Sequence, residues 1–136
     1  MRATNDCRRK ASGFTLLEMT IVAVIVAILV TIAYPSYQAH IRKSVRASAE
    51  SHLMDVAARQ QQYLFDSRAY APDLATLNVA TPSNVAANYT ITIAVLAGPP
   101  PSFTVAATPK GTQVLDLGGA ALTITNSGAK TPAGAW

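Results

Sequence analysis

Between Phe14 and Tyr34 the chain reads FTLLEMTIVAVIVAILVTIAY, twenty-one residues in which Glu18 is the only charge. As a helix this stretch covers about 30 Å, the thickness of a bilayer's hydrocarbon core. A carboxylate in that medium costs about 2.5–3.5 kcal/mol on insertion scales, so Glu18 is expected to be neutral or paired, and to be functional.

Before the run, residues 1–12 carry Arg2, Arg8, Arg9 and Lys10 against Asp6, and the run opens on Gly13-Phe14. An ordinary secretory signal would use the basic start and the apolar centre, with Thr31-Ile32-Ala33 as a loose small-x-small cleavage site. It has no need of an acid at Glu18. A simple single-pass anchor leaves both Glu18 and the Gly13-Phe14 junction as coincidences. The third reading uses every feature: G-F-T-L-L-E from Gly13 to Glu18, behind a basic leader, closely resembles the class III signal of type IV prepilins.

That resemblance implies a specific chemistry. A prepilin peptidase cuts after Gly13 on the cytoplasmic side and methylates the new N-terminal Phe14. Subunits wait in the bacterial inner membrane with the C-terminal region outside, in the periplasm. The pilus assembly machinery then extracts them into a helical extracellular filament, where other pilin subunits are the partners. In the filament centre Glu18 pairs with the amino group of Phe14, its own or a neighbour's, and Thr15 adds a hydrogen bond. Such a pair is strong in low dielectric only with good geometry, and either charge left alone is costly. Charge by itself does not orient the segment. Four basic residues precede it, but Arg42, Lys43 and Arg46 follow closely, and the positive-inside count is nearly balanced.

The formal charge of +4 belongs mostly to the leader, which contributes +3. After cleavage seven basic residues face six acids, and no nucleic-acid partner is inferred from charge. The single cysteine, Cys7, lies in the leader. A disulfide scaffold is therefore excluded for the mature chain, although an exported domain would permit one.

Pro35 follows the run directly. It lacks an N–H and its ring crowds the carbonyl of Thr31, so it kinks the helix or ends it. Helical spacing resumes at Tyr37, Ile41, Val45, Ala49, Leu53, Val56, Gln60 and Leu64, with most charges between those positions. The expected fold class is α+β and pilin-like. A long kinked N-terminal helix, with a membrane half and an amphipathic half, packs against an antiparallel sheet of three or four strands. The expected divisions are a cleaved leader over 1–13, a transmembrane and filament-core half over 14–35, an amphipathic half over 36–66 and a globular region over 67–136.

From Asp66 to Asn88 turn residues dominate, with one helical turn expected at Asp73–Leu77. Tyr63 to Leu77 also resembles the small PilE-like minor pilins. Period-two alternation then marks strands at Tyr89–Val95, Phe103–Ala107 and Leu122–Ile124, with a further short strand expected at Val114–Leu117, turned by Gly118-Gly119. Many of these relatives close the C-terminal region with a disulfide and end in Cys-Trp, whereas this chain ends Ala135-Trp136. Trp136 is expected to anchor the tail by packing.

No catalytic constellation, phosphate loop or cofactor motif is present in the sequence, and no enzyme activity is expected. His40 and His52 lack partners at metal-ligand spacing and are read as solvated helix positions, leaving no metal site. Site residues are therefore Gly13 and Phe14 for cleavage, Phe14 for methylation, Glu18 and Thr15 for filament assembly, and Pro35 for the kink. The resemblance implies a type IV pilus subunit, a minor pilin serving twitching motility, adhesion or DNA uptake. A type II secretion pseudopilin or a major pilin is the nearest alternative. An exported binding domain released by ordinary signal peptidase, with Tyr34 as its first residue, is the alternative from a different class.

Overall fold

The computed structural model describes residues 13–136; the leader read over 1–13 lies outside them, apart from Gly13. Along the chain run α1 (Leu16–Ser67), α2 (Ser83–Asn88), β1 (Tyr89–Leu96), β2 (Ser102–Pro109), the 3-10 helix η1 (Gly111–Leu115), β3 (Leu122–Thr125) and β4 (Lys130–Thr131). Two compact units follow one another, with the boundary between Tyr37 and Gln38.

The first unit is helical from Leu16, and every described side chain in it is exposed. Apolar surface of this extent needs lipid or other helices to cover it. Its threonines bond within their own helix: Thr20 Oγ1 donates to the Leu17 carbonyl and Thr31 Oγ1 to that of Ile28, both at 2.7 Å. Neither hydroxyl is left to be desolvated unpaired. The helix continues through Pro35 rather than ending there.

In the second unit α1 turns one stripe inward. Ala49, Leu53, Val56 and Gln60 are buried, as the i, i+4, i+7, i+11 spacing requires, with Val45 and Leu64 half-buried beside them. Arg68 ends the helix by adopting a left-handed φ of 54°, its N–H donating to the Leu64 carbonyl at 2.8 Å. The following loop returns to the helix, burying Tyr70, Ala71 and Leu77. Asp73 Oδ1 accepts from the Thr76 N–H at 2.7 Å and from its hydroxyl at 2.8 Å, which closes a non-helical turn in place of the helical turn expected at Asp73–Leu77.

The sheet is an antiparallel meander in the order β1-β2-β3-β4. Ile93 faces Val105, and Val105 faces Ile124, so alternate residues share one face. Phe103, Val105, Ala107, Leu122 and Ile124 form one core with the buried stripe of α1. Tyr70 meets Phe103 edge-on, with ring centroids 4.8 Å apart.

Three further expectations need correction. Val114–Leu117 does not form a strand: Val114 and Leu115 belong to η1, whose Gln113 is drawn into the interior by hydrogen bonds. The chain after η1 closes on itself, with Gly119 N donating to the Val114 carbonyl at 2.8 Å. Gly118 and Gly119 there hold φ of 61° and 84°, which disfavours a Cβ. Residues 83–88 are helical rather than irregular, because Pro82 leads into a turn whose N–H groups at Val85 and Ala86 both bond its carbonyl. His52 is buried at 6% exposure, whereas His40 is exposed as read.

Candidate functional site

At the N-terminal site, Gly13 and Phe14 are exposed and non-helical, and α1 begins two residues later. Thr15 starts it. Its Oγ1 accepts from the Glu18 backbone N–H at 3.2 Å, satisfying one of the orphan donors of the first turn. Thr15 and Glu18 have the spacing of a capping box, and the threonine half of it is formed. This capping role was missed, although T-x-x-E is a sequence signal for it. Glu18 is exposed in the first turn, where a negative charge also suits the helix dipole. Gly13, Phe14 and Thr15 immediately precede α1, and Glu18 lies in its first turn. Pro35 stands apart from them, well inside α1.

The second unit holds a polar cluster that sequence spacing did not reveal. On α1, Arg46 Nε lies 3.3 Å from Glu50 Oε1, while its Nη1 donates to Asp116 Oδ2 at 3.2 Å. The contact with Glu50 is an ion pair without hydrogen-bond geometry, and Oε1 has no hydrogen-bond partner. Burial pushes the Glu50 carboxyl above its ordinary range; Arg46 and Lys130 oppose the shift and Asp116 reinforces it. Gln113 Nε2 donates to Tyr89 Oη at 2.9 Å and to the Arg42 carbonyl at 3.0 Å, pinning η1 to α1. Burial also raises the Tyr89 phenol.

Two further fastenings complete the unit. Gln60, fully buried, donates from Nε2 to the Ala71 carbonyl at 2.8 Å and accepts the Ala71 N–H at 2.9 Å. Trp136 Nε1 donates to the Thr131 carbonyl at 3.0 Å, and Lys130 Nζ sits 4.7 Å from the centre of the indole ring. These groups hold loops to a helix; none forms a nucleophile–base pair. Among the described residues no group of three or more His, Cys, Asp or Glu is placed to hold a metal.

A family model described as "Type IV minor pilin ComP, DNA uptake sequence receptor" matches residues 35–120. The chain belongs to this family of type IV minor pilins. The prokaryotic N-terminal methylation motif matches residues 8–34, a stretch that contains Gly13, Phe14 and Glu18. A similar protein is the type IV wide pilus major component PilA4 of Thermus thermophilus, 33% identical over 81 residues. That alignment covers 57% of this chain and 62% of the relative, so the chain spans under two thirds of its length.

As a member of the type IV minor pilin family the chain carries an N-terminal helix long and apolar enough to cross a membrane. The α+β architecture fits that family: a long N-terminal helix and a four-stranded antiparallel sheet. The match over 35–120 includes the Arg46–Glu50–Asp116 cluster and ends before β3, β4 and Trp136.

Proposed function

We propose that this pilin is a minor subunit of a type IV pilus that serves DNA uptake, and that it is not an enzyme. The family match over 35–120 carries this reading, since its description names a receptor for DNA uptake sequences. In this scheme residues 1–13 are removed by cleavage between Gly13 and Phe14, and Phe14 is methylated. Residues 14–35 form the membrane and filament-core half, residues 36–66 the amphipathic half, and residues 67–136 the globular region. The globular region lies in the periplasm before assembly. Apolar packing in a filament core is non-directional, so register needs a polar device. Glu18 supplies it by pairing with the amine of Phe14, and Thr15 fixes the first turn that presents the carboxylate. Pro35 removes one backbone hydrogen bond and kinks the helix where it leaves the core.

Charge does not carry this reading. Residues 38–136 carry seven basic and five acidic side chains; Glu50 and Asp116 pair with Arg46 and Asp55 with Arg59. A net balance this small gives a DNA contact of limited, salt-sensitive strength. A second reading, as a major pilus component, is favoured by the likeness to PilA4.

One experiment separates the two. Deleting the gene in its host should leave filaments in place and lower uptake of labelled duplex DNA, with the wild-type subunit substoichiometric in sheared filaments. Loss of all filaments on deletion, with this chain the main component of the sheared fraction, would establish the major-subunit reading. Unchanged DNA uptake in filamented deletion cells would remove DNA uptake from the assignment.

A further inference from the structure

We infer that η1 and the adjoining turn of α1 form a foot that docks on an anionic bilayer surface while the subunit is membrane-anchored. The inference rests on the membrane anchoring of a type IV pilin and adds a second, reversible contact to it. Leu115 is 72% exposed, and Val114 and Ile41 are each 38% exposed. Gln113 ties η1 to the Arg42 carbonyl, which places these side chains at the same turn of α1. Ile41 continues the stripe of Val45, Ala49 and Leu53 one turn beyond the core, where it is only partly covered.

The charges around this apolar group select its partner. Arg42 and Lys43 follow the apolar run by eight and nine residues, and Lys110 immediately precedes η1. The acid nearest them in η1's flank, Asp116, is turned inward and held by Arg46. What remains outward is an apolar tip among basic side chains. That is the composition that inserts shallowly at a lipid interface and is drawn to anionic headgroups, each basic residue adding about fivefold to partitioning. Phe65, also exposed, lies twenty-four residues farther along α1 than Ile41.

The test uses the full chain with Cys7→Ala, leaving no other thiol, and a single fluorescent label on Leu115→Cys. A matched protein carries the label on Phe65→Cys. Both are reconstituted into phosphatidylcholine vesicles with or without phosphatidylglycerol, containing a headgroup-level nitroxide lipid. Co-flotation reports membrane anchoring, and hence the reading on which the inference rests; quenching reports the foot. The label at position 115 should be quenched and blue-shifted in phosphatidylglycerol vesicles, and the label at 65 should not. Combining Lys43→Glu and Lys110→Glu should weaken quenching at 115 at least several-fold without affecting flotation. Equal quenching at 115 and 65, or quenching indifferent to lipid charge and to charge reversal, would overturn the inference. So would copy-to-copy crosslinking through position 115, or shielding of that label by a duplex oligonucleotide, without lipid quenching.

Discussion

Replacing Gln60 by methionine isolates the contribution of a single buried amide. Methionine keeps nearly the same length and volume, so the apolar packing of α1 against the returning loop is preserved. What is lost are the bonds at 2.8 and 2.9 Å to the carbonyl and N–H of Ala71, both within a buried site. Each buried backbone group left without a partner costs about 1–3 kcal/mol, so Gln60→Met should destabilise by about 3 kcal/mol after some relaxation of the loop. Urea unfolding of the globular unit from Gln38 to Trp136 measures the global cost. Amide exchange locates it: the Ala71 N–H should exchange about a hundredfold faster, beyond the change at core strand amides. Gln60→Glu adds a check. Its carboxylate would face the Ala71 carbonyl at neutral pH and be strongly destabilising, whereas protonation in acid restores a donor. An unchanged unfolding midpoint with unchanged Ala71 exchange would refute the argument and leave the apolar packing of Tyr70, Ala71 and Leu77 to fasten the loop.

Glu18→Ala should still insert into membranes and be processed, since the insertion cost of the carboxylate disappears; its amount in sheared pili should fall, as read by immunoblot. Arg46→Met unpairs Glu50 and Asp116, whose side chains are 16% and 7% exposed, and should cost about 2–4 kcal/mol at pH 7.5. Because burial raises the folded-state pKa of Glu50, its stabilising contribution is full below 4.5 and lost as pH rises through the raised value. The penalty of Arg46→Met should therefore shrink toward pH 4.5 in unfolding curves. The His52 pKa is lowered by burial, so its contribution is present above 6.5 and lost as pH falls through the lowered value. His52→Leu should flatten stability over that acidic window. Trp136→Ala should cost about 2 kcal/mol for a half-buried ring, with thermal melts that are identical with and without reductant.

The readable parts of this chain are those in which one residue type repeats at the period of one element. The stripe from Val45 to Leu64 and the alternation in β1, β2 and β3 are of that kind, and both the helix and the meander follow from them. The misread parts are short and depend on distant partners. Val114 and Leu115 look like strand residues, yet Gln113 beside them is bonded to Arg42 and Tyr89, residues brought near only by the completed fold. Arg46 and Glu50 read as ordinary solvated charges because Asp116 is seventy positions away from Arg46. His52 is buried beside Leu53 on the same helix, and a lone histidine near the edge of an apolar stripe carries no mark of which side it takes. At the N-terminal site the residues are contiguous, and the T-x-x-E spacing is already the signal of the cap whose hydrogen bond Thr15 accepts.

The tail is fastened entirely by reversible contacts: Ala135 tucked into the core, the indole N–H on Thr131, and Lys130 over the ring. Relatives that lock this region covalently must wait for thiol oxidation, which takes seconds to hours. Here each strand pairs with the one before it, and closure asks for no oxidant. Because residues 13–136 contain no cysteine, closure of this tail is indifferent to the redox poise of its surroundings.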